Sequence, residues 1–333
     1  MSETADKPRS PDRPAWRNWL RIAISVVLLA FVFSQIDLSK TGQLLASARP
    51  DLTVLAVLVA LAGRFFAAFR WYLLVHGKNV EVTFPRILRL TFVSNFLGFF
   101  LPGSIGVEVT RVYGMSRTTA DLALSFSSVV VERALGMIAL AAMALIGLAL
   151  APPGIPPEFS VLAWLGFGLG LAGSVAIMNP TFRRWFDWLL SPRLMHPIRK
   201  RLHKFYACLD DYKAQPVLMF WSMTAAAFAT LFRIVPAVLC AWALNVDVTF
   251  VHLLIFIPMR AFWSQIPISI GGLGLNELGF IVLFGLVGAS ADQAVSFSLM
   301  LYAVTMVISL PGAWLYVRGG LSPARGERLT PQR

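Results

Sequence analysis

Nine ionisable side chains stand where an apolar sequence has no evident use for charge. Arg64, Arg70, Arg133, Arg233 and Arg260 lie inside long hydrophobic runs, Glu132 adjoins Arg133, and Glu108, Arg111 and Glu277 lie close to breaks rich in Pro and Gly. If the runs lie in a bilayer, a centred charge costs at least about 2.5 kcal/mol, so each must pair or face a polar cavity. Arg presents a planar, permanently charged fork that fits phosphate bidentately, which suits a lipid phosphodiester. Carboxylates beside such forks can balance them or hold a cationic group. The chemistry implied is recognition of a charged headgroup.

Within that set, Glu108 and Arg111 are three residues apart and can pair on one helix face. Glu132 and Arg133 are adjacent, point to different faces and need partners on other elements. Arg70 lies within two turns of the end of its run and can snorkel, whereas Arg64 and Arg233 are deeper. Arg111, Arg133 and Arg260 are assigned to phosphate, and Glu108, Glu132 and Glu277 to balancing charge or a cationic headgroup. Asn95, Ser104, Ser269 and Asn276, in or beside the breaks, complete the polar set.

The elements that must position these residues follow from composition. Of 333 residues 57% are hydrophobic and 14% charged, whereas soluble domains carry about 25% charged residues. About 20 mostly apolar residues cross the hydrocarbon core as a helix. Residues 20–36, 52–75, 122–150, 160–178, 217–244 and 294–317 meet that description and give six full spans. The first follows a polar, Pro-rich tail with no cleavage signature and reads as a retained helix.

A net charge of +12 can signal nucleic acid, but here position argues otherwise. With the N-terminus inside, residues 1–21, 77–89, 111–121, 179–215 and 318–333 hold 22 of the 29 basic residues, while the outer loops hold Lys40 and Arg49. The positive-inside rule then places both termini in the cytoplasm, with the chain in a bacterial inner membrane. In segment 181–215, basic residues such as Arg183, Arg199 and Lys204 alternate with Trp185, Trp188 and Phe205. That pattern reads as an amphipathic helix on the anionic leaflet.

Residues 84–114 and 250–288 are too long for loops and too broken for spans, and they resemble one another. Asn79-Val-Glu-Val-Thr-Phe84 matches Asn245-Val-Asp-Val-Thr-Phe250, Pro102-Gly-Ser-Ile-Gly106 matches Pro267-Ile-Ser-Ile-Gly271, and Asp121-Leu-Ala-Leu-Ser-Phe-Ser127 matches Asp292-Gln-Ala-Val-Ser-Phe-Ser298. The charge rule puts Asn79 and Asn245 on opposite sides, so the repeat is inverted. Interrupted hydrophobic segments at matching places of an inverted repeat point to a transporter and to its binding site. Each reads as a re-entrant hairpin, broken at Pro102, Gly103 and Gly106 in the first copy and at Pro267, Gly271, Gly272 and Gly274 in the second. Irregular backbone at that depth requires protein or a water-filled cavity around it. A bundle of kinked helices would have to absorb about 1 kcal/mol for each glycine in a continuous helix.

Other signals carry little. Gly168-Leu-Gly-Leu-Ala-Gly173 has the dinucleotide-loop spacing but sits inside a span, where small residues serve close helix packing. Cys208 and Cys240 form neither a disulfide framework nor a metal spacing. There is no phosphate loop, zinc-protease motif or nucleophile elbow. No cofactor, metal or enzymatic activity is expected.

At Leu101-Pro-Gly-Ser-Ile-Gly-Val-Glu-Val-Thr-Arg111, Val131-Glu-Arg133 and Ile266-Pro-Ile-Ser-Ile-Gly-Gly-Leu-Gly-Leu-Asn-Glu277 the chain resembles the lysylphosphatidylglycerol synthase transmembrane family, the flippase-like domain that also occurs free-standing. It departs at Ser104 and Glu108, where the family often has Gly and Asp, and at Asn276, where an Arg is frequent. The resemblance implies two re-entrant hairpins around a lipid-accessible cavity and movement of an aminoacylated phospholipid between leaflets. Bifunctional members carry a soluble aminoacyltransferase domain after the membrane part. Here 16 residues follow Val317, so a chain without that domain is expected.

The expected fold is an all-α polytopic membrane protein with six full spans plus two re-entrant helical hairpins in an inverted repeat. Residues 1–19 form a disordered cytoplasmic tail, 20–317 the flippase-like domain with copies near 52–150 and 217–317, and 318–333 a second tail. The expected function is translocation of a phospholipid, aminoacylated or not, with membrane lipids as partners. The alternatives are a polyprenyl-linked glycolipid as cargo, or a non-transporting scaffold for a separately encoded glycosyltransferase or lipid-modifying enzyme.

Overall fold

The computed structural model describes residues 34–78, 80–99, 105–119, 121–150, 214–264 and 274–319, with short pieces at 27, 30–32, 206–208 and 210–212 and isolated positions at 161, 164, 165, 168, 172, 179, 181, 184, 272 and 321. Every regular element among them is a helix: α1 (Leu38–Ala46), α2 (Pro50–His76), α3 (Phe84–Gly98), α4 (Ile105–Thr119), α5 (Leu122–Leu150), α6 (Pro216–Ala243), α7 (Phe250–Trp263), α8 (Leu275–Gly285), α9 (Ala291–Val307) and α10 (Leu310–Gly319). The spans expected over 20–36 and 160–178, the linker 181–215 and the tails 1–19 and 318–333 lie wholly or mostly outside the described residues.

Four stretches are long and apolar enough to cross a bilayer: α2, α5, α6 and the nearly continuous Ala291–Gly319. The shortest has 27 residues, about 40 Å of helix against a hydrocarbon core of about 30 Å. The chain is a multi-pass membrane protein. By contrast α3 and α4 have 15 residues each, α7 has 14 and α8 has 11, so none exceeds about 23 Å. The break residues Pro102, Gly103, Pro267 and Gly271, with Ser104 and Ser269, fall outside the described residues. Gly106 lies in the first turn of α4. Gly272 and Gly274 lead into α8 with φ of +80° and +81°, a backbone that glycine adopts without penalty.

The first and third of the similar sequence blocks fold alike where they are described. Val82 N donates to Val80 O and Val248 N to Val246 O, both at 2.9 Å, and Thr83 and Thr249 then become the N-caps of α3 and α7. Further on, Ser125 Oγ donates to Asp121 O and Ser296 Oγ to Asp292 O, both at 2.7 Å, at the starts of α5 and α9.

Contacts far apart in sequence tie the helices together at two sets of ends. At one, Asp37 N donates to Asp292 Oδ1 at 2.7 Å and Arg49 N to Ala243 O at 2.9 Å. At the other, Lys78 Nζ meets Asp211 Oδ2 at 2.7 Å, and an Arg86 Nη2 hydrogen bond reaches Leu321 O at 2.7 Å.

Two apolar clusters hold each half together. One joins α6 to α9 through Leu253, Phe256, Phe280, Phe284 and Phe297; the other joins α2 to α5 through Trp71, Ile87, Leu90, Met115 and Val129. Glycines let backbones approach. Gly63 faces Phe232, whose Cβ and carbonyl oxygen lie 3.0 and 3.1 Å from where a Cβ would be, and Gly147 packs on Leu254 and Ile255. Both contacts lie one turn before a proline within a helix, Pro236 in α6 and Pro258 in α7. Large apolar side chains such as Phe65, Phe69, Phe126, Phe220 and Phe228 face outward, as lipid-facing residues do.

Candidate functional site

A cavity of about 330 Å³ is lined by Arg64, Arg70, Asn95, Glu108, Arg111, Glu132, Arg133, Arg233 and Arg260, together with apolar and small residues of α2, α5, α6, α7 and α9. Six guanidinium groups therefore share it with two carboxylates.

Both carboxylates are engaged. Glu132 is buried on α5 between two arginines: it pairs with Arg70 of α2, and its Oε2 accepts from Arg111 Nη1 of α4 at 3.1 Å. Arg111 is steadied from behind by the Trp71 ring, 5.3 Å from its centroid, and Trp71 Nε1 donates to Ser128 Oγ at 3.2 Å. Glu108 of α4 pairs with Arg133 of α5, and this pair keeps about a third of its surface exposed.

The remaining three cations have no such counterpart. Arg64 Nη1 reaches Asn95 Oδ1 at 3.4 Å, a weak neutral contact, while Asn95 Nδ2 donates to Thr91 O at 2.8 Å. Arg233 projects openly into the cavity. Arg260 lies 6.0 Å from the Phe280 ring, and its buried Nε has no hydrogen-bond partner. Among the described residues no carboxylate forms an ion pair with Arg64, Arg233 or Arg260. Arg233 lies within electrostatic reach of Arg64, Arg70, Arg111 and Arg260, and of the single carboxylate Glu132, which already bridges Arg70 and Arg111. A low-dielectric cavity with this surplus is a place where an anion is strongly favoured.

The local pairing expected between Glu108 and Arg111 is not what forms. Each instead reaches α5, because the adjacent Glu132 and Arg133 diverge and take one partner apiece from α4. Arg70 does not snorkel: it is buried and packs on Gly136, where a Cβ would lie 3.2 Å from Nη1. Glu277 is buried off the cavity, its Oε2 accepting from Gly274 N at 2.7 Å and its Oε1 from Ser298 Oγ at 2.9 Å. It fixes the start of α8 while its field acts on Arg260. Asn276 is likewise buried and accepts from Trp263 Nε1 at 3.2 Å, tying α7 to α8. Ser104 and Ser269 lie outside the described residues. Arg64 and Arg233, which the sequence leaves outside the set assigned to phosphate, emerge with Arg260 as the cations without an ion pair among the described residues. The signal was present: both lie more than ten residues from any Asp or Glu, so neither has a partner on its own helix. Among the described residues no group of His, Cys, Asp and Glu is arranged to hold a metal.

The family described as the lysylphosphatidylglycerol synthase TM region matches residues 18–312. The chain belongs to that family. Over 125 residues this family member is 26% identical to the UPF0104 membrane protein PH1989 of Pyrococcus horikoshii, and the match covers 37% of each chain. It thus spans well under half of that relative's length. No solved structure matches the chain.

Proposed function

We propose that this protein moves a phospholipid between the leaflets of a bacterial inner membrane, its phosphate passing through the arginine-lined cavity while the acyl chains stay in the bilayer. One observation carries the reading. Arg64, Arg233 and Arg260 line one cavity of a membrane protein, with no carboxylate paired to them among the described residues. Three such charges are too costly to hold without a compensating anion. A lipid phosphate is the anion that a bilayer presents in quantity.

The architecture that goes with this reading is an inverted repeat of α2–α5 and α6–α10, with α3–α4 and α7–α8 as re-entrant hairpins. The same N-cap position for Thr83 and Thr249, although only Thr249 caps with its side chain, and matching serine bonds at Ser125 and Ser296 support it. So does the sharing of ends: Asp37 meets Asp292 where charge counting puts both outside, and Lys78 meets Asp211 where it puts both inside. Both termini are then cytoplasmic. The test is leaflet exchange of a fluorescent phosphatidylglycerol in proteoliposomes. Exchange that Arg233→Gln slows at least tenfold supports transport, whereas exchange no faster than in protein-free vesicles overturns it.

A further inference from the structure

Resting on the lipid-carrying reading above, we infer that the cavity selects its cargo by negative charge: it takes a lipid whose phosphate bears more than one charge, as a phosphomonoester or diphosphate does, and rejects an aminoacylated, net-cationic headgroup.

Three observations lead there. The first is charge balance. Six guanidiniums face two carboxylates, and both carboxylates already bridge arginines. An incoming ammonium would find no uncommitted carboxylate among the cavity residues and would meet the repulsion of Arg64, Arg233 and Arg260. A phosphodiester brings one negative charge against that surplus. A phosphomonoester brings about 1.5 to 2 and three acceptor oxygens.

The second is unfilled donor capacity. Besides the three arginines without an ion pair, of which Arg260 has a buried Nε with no acceptor, Nε of Arg70 and of Arg111 is also buried with no acceptor among the described residues. Buried donors normally find partners, and phosphate oxygens are the acceptors that guanidinium forks match best. A terminal phosphate, free on three sides, can accept from several forks at once, whereas a diester gives up two of its oxygens to ester links.

The third is size. About 330 Å³ is at the small end of the range for ligand pockets. It accommodates a compact phosphate more readily than a headgroup extended by an amino acid with its own charged side chain.

The experiment uses the full chain in detergent micelles and follows its thermal melt during titration with dioleoyl phosphatidic acid, dioleoyl phosphatidylglycerol, lysylphosphatidylglycerol or soluble glycerol 3-phosphate. Phosphatidic acid should half-saturate the shift at a concentration at least tenfold below phosphatidylglycerol, and lysylphosphatidylglycerol should give none. The advantage should fade as pH falls through about 6, where the monoester loses its second charge. Arg64→Gln and Arg233→Gln should each cut the preference to threefold or less, with Arg233→Lys retaining most of it. Equal response to phosphatidylglycerol, or any comparable response to the lysylated lipid, overturns the inference and leaves lipid transport standing. A preference unchanged in both Gln variants places the selectivity outside the cavity and overturns it as well. If glycerol 3-phosphate alone reproduces the whole shift, or no lipid gives one, the lipid-carrying reading falls with it.

Discussion

Arg111 and Glu132 meet across the junction of α4 and α5 at 3.1 Å, and the same carboxylate holds Arg70 on its other oxygen. One buried carboxylate thus fastens three helices, and it does so by holding two cations that would otherwise repel. Glu132→Gln keeps the shape and removes the charge. Breaking a buried pair from one side costs about 3 to 5 kcal/mol, so this variant should melt well below the parent in detergent. Glu108→Gln removes the partly exposed pair with Arg133, where screening limits the loss to about 1 kcal/mol. Similar melts for the two variants would argue against the buried bridge.

Gly312 is where α10 crosses α3. A Cβ there would collide with the backbone carbonyl of Phe92 and come 3.0 Å from Phe96 Cβ. Backbone cannot turn aside as a flexible side chain can. Gly312→Ala should therefore lower stability by about 1 to 3 kcal/mol, the usual cost of overpacking. Gly285 ends α8 with open space around it, so Gly285→Ala should leave the melt unchanged or raise it slightly. Differential scanning fluorimetry of the two variants side by side checks the contrast.

The long helices were legible because their signal is local. The apolar runs at 52–75, 122–150 and 217–244 reappear as α2, α5 and α6 within two residues at each end, and the repeated Val-x-Val-Thr blocks reappear as identical turns before Thr83 and Thr249. The pairing of charges was not legible for the opposite reason. A three-residue spacing makes Glu108 and Arg111 natural partners on an isolated helix, but the interaction is worth only a few tenths of a kcal/mol. Leaving Glu132 unpaired in the bilayer would cost several, so tertiary demand wins. The same logic turns Arg70 inward. Glu277 reads from the sequence as a balancing charge or headgroup partner because it is a carboxylate just past a break at membrane depth; in the structure that position makes it the cap of α8.

The two sets of end contacts predict which loops share a side. In a background with Cys208 and Cys240 replaced by alanine, a cysteine at Asp247, in the turn before α7, should react with an impermeant maleimide added outside intact cells. One at Asp211, which meets Lys78, should react only after permeabilisation. Labelling of both from the same side would rule out the inverted arrangement of α3–α4 and α7–α8.

Arg260 separates structure from transport most cleanly. It sits on α7 within the cavity, its Nε has no acceptor, and its nearest aromatic contact is the Phe280 ring at 6.0 Å. A residue held for stability should be missed when it is removed, as Glu132 should be. A cation held for cargo behaves differently in the empty protein, because Glu277 acts on it without pairing and its buried Nε is unsatisfied, a penalty of about 1 to 3 kcal/mol. Arg260→Ala should therefore melt at or above the temperature of the parent while leaflet exchange of labelled phospholipid in proteoliposomes falls at least tenfold. Arg260→Lys keeps the charge, loses the two-pronged geometry and should recover part of the rate. A variant that loses stability and keeps transport would show that Arg260 serves the packing of α7 and not the passage of lipid.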